Sequence, residues 1–326
     1  MDARGDRPLG EWGTESVDGV VFDFLPLAHL DAGDQSRKIP HSVRLASGMM
    51  KYRNMLDSSV VQSHRLEIGA VAQQLFSKRR HVQFLHIDGR DSLATGSDSY
   101  WKHLRLGYSV LEKRVLPSAR DVVVFSDAGA KRLAELKAPV RFSPTWYDPA
   151  NFYPSEIATP QDRVIWVGRI EPPKDPLLAV QVLAKLPAKY SLTVVGDGTL
   201  RADMARAARD FGVASRVSFA GAVDQAEVGR LMRAHGSMLM TSHYEGFPRA
   251  VVEGLASGLV VVTTQGGEPN GLVVDGVNGL RAASRDPQEI ANLLERSKEI
   301  PFGGPVGSVK HLSAPSVVAA VLRPTA

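Results

Sequence analysis

The chain has 326 residues, about twice the length of an ordinary domain, and 44% apolar with 23% charged residues is a globular composition that excludes a disordered, fibrous or disulfide-stapled protein. It contains no cysteine, which closes thiolate catalysis and cysteine-ligated zinc or iron–sulfur sites. The formal net charge is only +4, but residues 1–36 carry 2 basic and 8 acidic groups, residues 37–142 carry 19 and 9, and residues 143–326 carry 18 and 18.

The basic stretch 37–142 suits an anionic partner such as a membrane surface, a phosphorylated substrate or nucleic acid, unless it is simply a solvated face. It lacks the interleaved aromatic residues that nucleic-acid binding uses, so no nucleic-acid partner is expected. No stretch approaches the roughly 18 apolar residues of a spanning helix, and the polar, acidic start is no signal peptide. The expected location is cytoplasmic, with any membrane contact peripheral, at the inner face.

Apolar runs of four to six residues alternate with longer helix-period segments, the pattern of a parallel sheet with crossover helices. In chain order the first half predicts a strand at Gly19–Leu25, helices at Ser42–Lys51 and Leu66–Arg79, and a strand at Val82–Ile87. A helix at Tyr100–Leu116, a strand at Asp121–Ser126 and a helix at Asp127–Leu136 follow. Prolines at 139, 144, 149, 154 and 160 then mark a linker. The second half predicts strands at Arg163–Val167, Ser191–Val195, Val217–Ala220, Ser237–Thr241, Leu259–Thr263 and Gly279–Ala282. Between them lie helices at Pro176–Leu186, Leu200–Phe211, Gln225–Ala234, Pro248–Ala256 and Pro287–Arg296, and a last helix is expected at Ala314–Leu322. The domains read as 1–157, 158–300 and a tail, 301–326.

Two segments carry candidate chemistry. The strand Arg163–Val167 runs into a turn from Gly168 that presents Arg169 and Lys174 just before a helix. Glycine lets the backbone approach a ligand, the guanidinium fork fits phosphate oxygens, and the lysine adds a mobile charge, so the pair can neutralise a diphosphate. In the second segment Glu245, Gly246, Phe247 and Pro248 lead into a helix that carries Glu253. Free amides at a helix start can bind anions or hydroxyls, and carboxylates accept paired sugar or ribose hydroxyls. The plainer alternatives are a surface Arg and Lys at a turn, an acidic residue favoured by the helix dipole, and an exposed helical glutamate.

Residues 163–300 resemble the nucleotide-sugar-binding domain of the retaining glycosyltransferases of family 4, which have the GT-B fold. The matching motifs are the G-R-x4-K turn at 168–174, "VGDG" at 195–198, "FAG" at 219–221, E-x7-E from Glu245 to Glu253, and "GG…DGVNGL" at 266–280. The resemblance implies an α/β chain of two Rossmann-like domains facing a central cleft. It also implies that Arg169 and Lys174 hold the donor diphosphate, that Glu245 and the Gly246–Pro248 amides hold the donor sugar, and that Glu253 takes the ribose hydroxyls. In the first half, "LEKRVLPSARDVVVFSDAGAKRL" at 111–133 and "SPTWYDPANFYP" at 143–154 are similar to segments of the family's acceptor domain and linker. The histidine ending the strand "FLHIDGRD" is similar to one that faces the donor sugar, which makes His86 a candidate catalytic residue beside Glu245.

Three departures stand out. Thr145 and Trp146 replace the usual Asn and Gly of the linker motif, and Gly271 stands where a glutamate is common, with Glu268 nearby. The Gly-rich loop after the family's first strand is not visible, and Gly19–Leu25 looks like the third strand, so the N-terminal domain is expected to lack its opening strand–helix–strand unit. The implied activity is transfer of a sugar from a nucleoside diphosphate to a hydroxyl acceptor, with retention, in polysaccharide, glycolipid or glycoconjugate biosynthesis. The acceptor could be lipid-linked. No cofactor and no metal are expected, since no Asp-x-Asp triplet or metal-spaced cluster is present. A pseudoenzyme or partner subunit that binds nucleotide sugar without transfer is the alternative, and a hydrolase or epimerase on the same fold is a more distant one.

Overall fold

The computed structural model describes residues 7–17, 20–29, 41–85, 105–125, 127–157, 159–301 and 305–322. The chain divides into Met1–Phe142 and Ser143–Ala326, a boundary some fifteen residues before the expected one at 157. The segment after Ser143 belongs with the second unit because Phe152 is buried in that unit's core, Tyr147 pairs with Ser313 of the tail, and Arg233 donates to the Asn151 carbonyl at 2.8 Å. Residues 305–322 are likewise part of that unit, with Val309, Leu312 and Val317 in the same core.

In the first unit β1 (Gly13–Val17) and β2 (Val20–Phe24) form an antiparallel hairpin, Gly13 opposite Phe24. The strand expected at Gly19–Leu25 is therefore present, but it pairs with an unforeseen neighbour and stands outside the parallel sheet. After α1 (His41–Lys51), β3 (Val60–Ser63), α2 (Leu66–Leu75), β4 (Arg80–Leu85), α3 (Arg105–Val115), β5 (Asp121–Val124), α4 (Asp127–Ala134) and β6 (Val140–Phe142) follow. The four strands β3 to β6 make a parallel sheet in sequential order. Neither β3 nor β6 was expected; β6 lies in the stretch read as linker, immediately after Pro139, at the sheet edge where a preceding proline costs no ladder bond. One layer of core joins Leu66, Val115, Leu116, Val122 and Leu133, and Met49, Ile68 and Ala72 form a second. A bidentate pair from Arg132 to Glu112, both contacts 2.9 Å, pins α4 to α3.

The second unit consists of β7 (Arg163–Val167), α5 (Pro176–Lys185), β8 (Ser191–Val195), α6 (Arg201–Asp210), β9 (Val217–Gly221), α7 (Gln225–Arg233), β10 (Ser237–Met240), α8 (Arg249–Ala256), β11 (Val260–Thr263), β12 (Gly279–Arg281), α9 (Pro287–Arg296), α10 (Val306–Val309) and α11 (Ala314–Leu322). Its six strands are all parallel in the order β12-β11-β10-β7-β8-β9, the doubly wound arrangement in which strand order reverses between β7 and β10. The alternation of side chains along each strand shows why both faces are covered. Val164 and Trp166 of β7, Leu239 of β10 and Val260 and Val262 of β11 enter one core with α5, α6 and α9. Ile165, Met238, Met240 and Val261 point the other way, into a core with α7, α8 and the tail.

Helix starts in this unit are set by short polar caps. Asp224 accepts from the Glu227 amide at 2.8 Å ahead of α7, and Asp286 accepts from Gln288 at 3.2 Å with Pro287 in the first turn of α9. Among the described residues no helix is long and apolar enough to cross a membrane.

Candidate functional site

In an open α/β sheet ligands bind beyond the carboxyl ends of the strands where strand order reverses. Here that point is the crevice between β7 and β10, and the two segments singled out from the sequence are the loops that leave these two strands.

The loop after β7 is fixed from one side by the loop after β8. The Gly168 amide donates to the Val195 carbonyl at 3.0 Å, Ile170 to Asp197 at 2.9 Å, and Leu200 to Ile170 at 3.0 Å. Gly196 has φ +130°, and a Cβ there would lie 1.9 Å from the Gly168 carbonyl oxygen, so only glycine permits this approach. Glu171 accepts from the Thr199 amide and hydroxyl at 3.0 and 2.6 Å. These bonds, with Arg169 nearby, hold its carboxyl below the usual carboxylate range.

From the other side the loop is stitched to the one after β10. The indole of Trp166 donates to the Thr241 hydroxyl at 2.9 Å, which donates onward to the Lys174 carbonyl at 2.8 Å, and the His243 amide bonds the Pro173 carbonyl at 2.9 Å. Asp175 follows Lys174 in the left-handed region, φ 43°, which aspartate tolerates better than most residues, and caps α5 through the Leu178 amide at 3.3 Å. Its other oxygen pairs with Arg285, whose guanidinium also donates to the carbonyls of Thr241 at 2.7 Å and Ser242 at 3.2 Å. Arg285 is the organising residue that sequence reasoning missed. The only local signal was a cation just before the Asp286-Pro287 helix start, a place where acidic residues are the usual choice.

Gly168, Arg169, Lys174, Glu245, Gly246, Phe247, Pro248 and Glu253 thus gather around the β7–β10 crevice, on the two loops and the helix that leave these strands. Arg169 is exposed and forms no ion pair among the described residues. Lys174 and Glu245 bond directly to each other, and the Ser242 hydroxyl donates to the same Glu245 oxygen at 2.6 Å. The cation expected to face a diphosphate and the carboxylate expected to face a sugar are therefore each other's partner here. Gly246 is held through its carbonyl by the Asn270 side chain at 2.8 Å, Phe247 packs on the core beneath α8, and Pro248 is the N-cap of that helix. Proline there leaves the opening amides of α8 without a capping side chain.

Glu253, the fifth residue of α8, is not the exposed helical glutamate of the plainer reading: its side chain is 9% exposed. Burial pushes its pKa up to about 7, against the pull of Arg249, which donates to it at 2.7 Å. A buried carboxyl perturbed in this way makes Glu253 a candidate functional group.

Glu268 does something else. It is fully buried, one oxygen accepting from the Asn270 amide at 2.7 Å and the other from the Val273 amide and Arg281, both at 3.1 Å. Its lone pairs are spent inside the loop it shapes, and Gly271, φ +72°, sits exposed beside it. His86 lies outside the described residues. Among the described residues there is no group of three His, Cys, Asp or Glu placed to hold a metal ion.

The chain has an α/β fold of the GT-B-like glycosyltransferase type. Residues 149–301 match the profile of the family described as "Glycosyl transferases group 1", a segment that contains all the motifs of the β7–β12 sheet. Across 98% of its length the chain superimposes on 86% of the sucrose-phosphate synthase from Thermosynechococcus elongatus with a TM-score of 0.78 at 20% identity. It also superimposes on Anabaena HepE, whose structure is in complex with UDP-glucose, with a TM-score of 0.68 at 18% identity over 86% of this chain and 80% of that one. In sequence it is similar to a D-inositol 3-phosphate glycosyltransferase of Frankia alni, 35% identical over 147 residues. That match spans 41% of this chain and 36% of the Frankia protein, so the chain covers little more than a third of that relative.

Proposed function

We propose that the protein is a retaining glycosyltransferase that moves a sugar from a nucleoside diphosphate to a hydroxyl acceptor, in polysaccharide, glycolipid or glycoconjugate biosynthesis. The observation that carries this reading is the switch point between β7 and β10, where a two-cation turn and a two-carboxylate helix entry face one crevice. Departure of the diphosphate is the costly event, because negative charge grows on the leaving oxygen while the sugar carbon becomes cation-like. Arg169 and Lys174 are the groups that meet that charge, with the opening amides of α8 beside them. Lys174 turns from Glu245 to the diphosphate when the donor arrives, which frees Glu245 and the Gly246–Pro248 backbone to hold the sugar hydroxyls. Glu253 takes the ribose hydroxyls, with Arg249 steadying its carboxylate. His86, like Glu245, is proposed as a catalytic residue.

With protein cations on the leaving group, the reaction needs no divalent metal and no cofactor. The proposed setting is the cytoplasm, where the basic stretch 37–142 meets an acceptor carried on a lipid or the anionic inner face of the membrane.

Calorimetric titration of the full chain with UDP-, GDP- and ADP-sugars, beside a Glu253→Ala variant, tests the reading. Binding of one donor at micromolar to low millimolar concentration, weakened at least about ten-fold in the variant, is expected. No binding of any nucleoside diphosphate sugar would overturn it, and donor binding with neither transfer nor hydrolysis would favour a non-catalytic binding subunit.

A further inference from the structure

Two adjoining cavities open in the first unit, of about 560 and 390 Å³, sharing Ser77, His81 and Ser118. They lie where α2 and α3 end and where β4 and β5 begin, so they sit at the amino edge of the sheet, opposite the strand ends from which a Rossmann-like unit binds its substrates. The β7–β10 crevice and its motifs play no part here.

The lining is cationic. Arg79, Arg80 and Arg120 line the larger cavity and Arg114 the smaller, and neither is lined by an aspartate or glutamate among the described residues. Arg79 is held by Asp57 at 3.1 Å, and Arg80 by Asp121 at 2.6 Å, a carboxylate that also serves Arg141 at 3.0 Å. Arg114 and Arg120 are exposed and form no ion pair among the described residues. Two guanidinium forks are therefore left over in one depression.

The plain explanation for arginines at helix ends is that they satisfy the terminal carbonyls. That work is already done by other donors. The Phe76 carbonyl takes the Arg79 amide and the His81 ring, both at 2.9 Å, and the Val115 carbonyl takes the Gln73 side chain at 2.9 Å. The Arg114 carbonyl takes the Ser118 hydroxyl at 3.1 Å, Leu116 takes the Ala119 amide at 3.2 Å, and His81 takes the Arg120 amide at 2.8 Å. With these carbonyls taken by other donors, the Arg114 and Arg120 guanidinium groups, which form no ion pair among the described residues, are open to an anion. The Ser77 side chain beside them supplies a hydroxyl of the kind that phosphate sites commonly add to arginine, while the Ser118 hydroxyl is spent on the Arg114 carbonyl. The smaller cavity adds an apolar wall from Ala70, Leu111 and Val115.

We propose that this depression is a second anion site, which binds a phosphate-bearing ligand through Arg114 and Arg120 independently of the donor crevice. The same chemistry is offered by a soluble phosphate ester and by a phospholipid headgroup, and the experiment separates the two. The full chain, Arg114→Gln/Arg120→Gln and Arg169→Gln/Lys174→Gln are titrated with inorganic pyrophosphate. The same three proteins are sedimented with vesicles of phosphatidylcholine alone or mixed with phosphatidylglycerol.

If the ligand is soluble, Arg114→Gln/Arg120→Gln loses, by at least about ten-fold, a pyrophosphate affinity that Arg169→Gln/Lys174→Gln keeps. If it is a headgroup, the Arg114→Gln/Arg120→Gln variant instead loses retention on the phosphatidylglycerol vesicles by a similar factor, with no retention on phosphatidylcholine. In either case its affinity for nucleoside diphosphate sugars stays that of the wild type, which shows the variant to be folded and keeps this test apart from the donor reading. Unchanged pyrophosphate and vesicle binding in Arg114→Gln/Arg120→Gln would overturn the proposal.

Discussion

Glu253 ties stability to function in a way that can be measured. Its pKa is raised by burial from the ordinary 4.5 of a glutamate to about 7. Between these values the folded chain holds a proton that the unfolded chain has released, so stability falls as pH rises through the window and is fully reduced above about 7. At about 1.36 kcal/mol per pH unit the separation amounts to roughly 3 kcal/mol, a large share of the 5–15 kcal/mol that holds an ordinary domain together. Glu253→Gln keeps the shape and an oxygen that can still accept from Arg249 Nε, but cannot ionise. Urea denaturation at half-unit steps from pH 4.5 to 8 should show the variant's stability overtaking the wild type's with rising pH, the difference reaching about 3 kcal/mol above pH 7. Donor binding, measured on the same samples, should weaken. Parallel stability profiles for the two proteins would refute the reasoning, because they would mean that Glu253 is as easily ionised in the folded chain as in the unfolded one.

Gly196→Ala should cost about 2 kcal/mol or more, from the disfavoured φ and the collision with the Gly168 carbonyl, and should weaken donor binding by moving the Arg169 turn; thermal unfolding and calorimetry check both. Glu268→Ala leaves the buried Val273 amide, the partly buried Asn270 amide and Arg281 without this acceptor and should destabilise by roughly 3–5 kcal/mol in urea, whereas a cost under about 1 kcal/mol would mean water replaces the carboxylate freely. Lys174→Met removes the cation and strands the mostly buried Glu245, so donor affinity should drop at least about ten-fold, while Glu245→Gln with the lysine kept should lose less diphosphate affinity than sugar selectivity. EDTA should leave donor binding and turnover unchanged; a loss restored by Mg²⁺ or Mn²⁺ would contradict metal-free stabilisation of the leaving group.

The second unit was legible because its signals are strong and agree. Strands such as Val260–Thr263 are continuously apolar, as buried parallel strands must be, and helices such as Pro287–Arg296 carry both a proline start and an amphipathic face. The motif spacing placed Arg169 and Lys174 on the turn after β7, Glu245 on the loop after β10 and Glu253 inside the helix that follows it, where they are found. It could not show that Lys174 and Glu245 pair with each other, which depends on how loops far apart in sequence are stitched by Thr241 and Arg285, nor that Glu253 is buried, which depends on tertiary packing around α8.

The first unit was harder to read. Val60–Ser63 offers two apolar residues and was passed over, although it pairs with β4 along its whole length. The strand expected at Gly19–Leu25 fits the parallel alternation by its apolar run, yet Val21 and Phe22 are 68% and 43% exposed and the strand pairs antiparallel with β1. The Asp18-Gly19 pair between two short runs was the available sign of a hairpin, being the dipeptide that tight turns prefer.

The bond between Lys174 and Glu245 makes the crevice its own partner. On the proposed roles, a lone anion that takes Lys174 strands a mostly buried carboxylate, and a lone sugar that takes Glu245 strands an ammonium. Only a molecule carrying both charge and hydroxyls compensates the two losses together. The crevice then acts as a conjunction rather than a sum, and discriminates against the free phosphates and free sugars that surround it through the cost of breaking what it already holds.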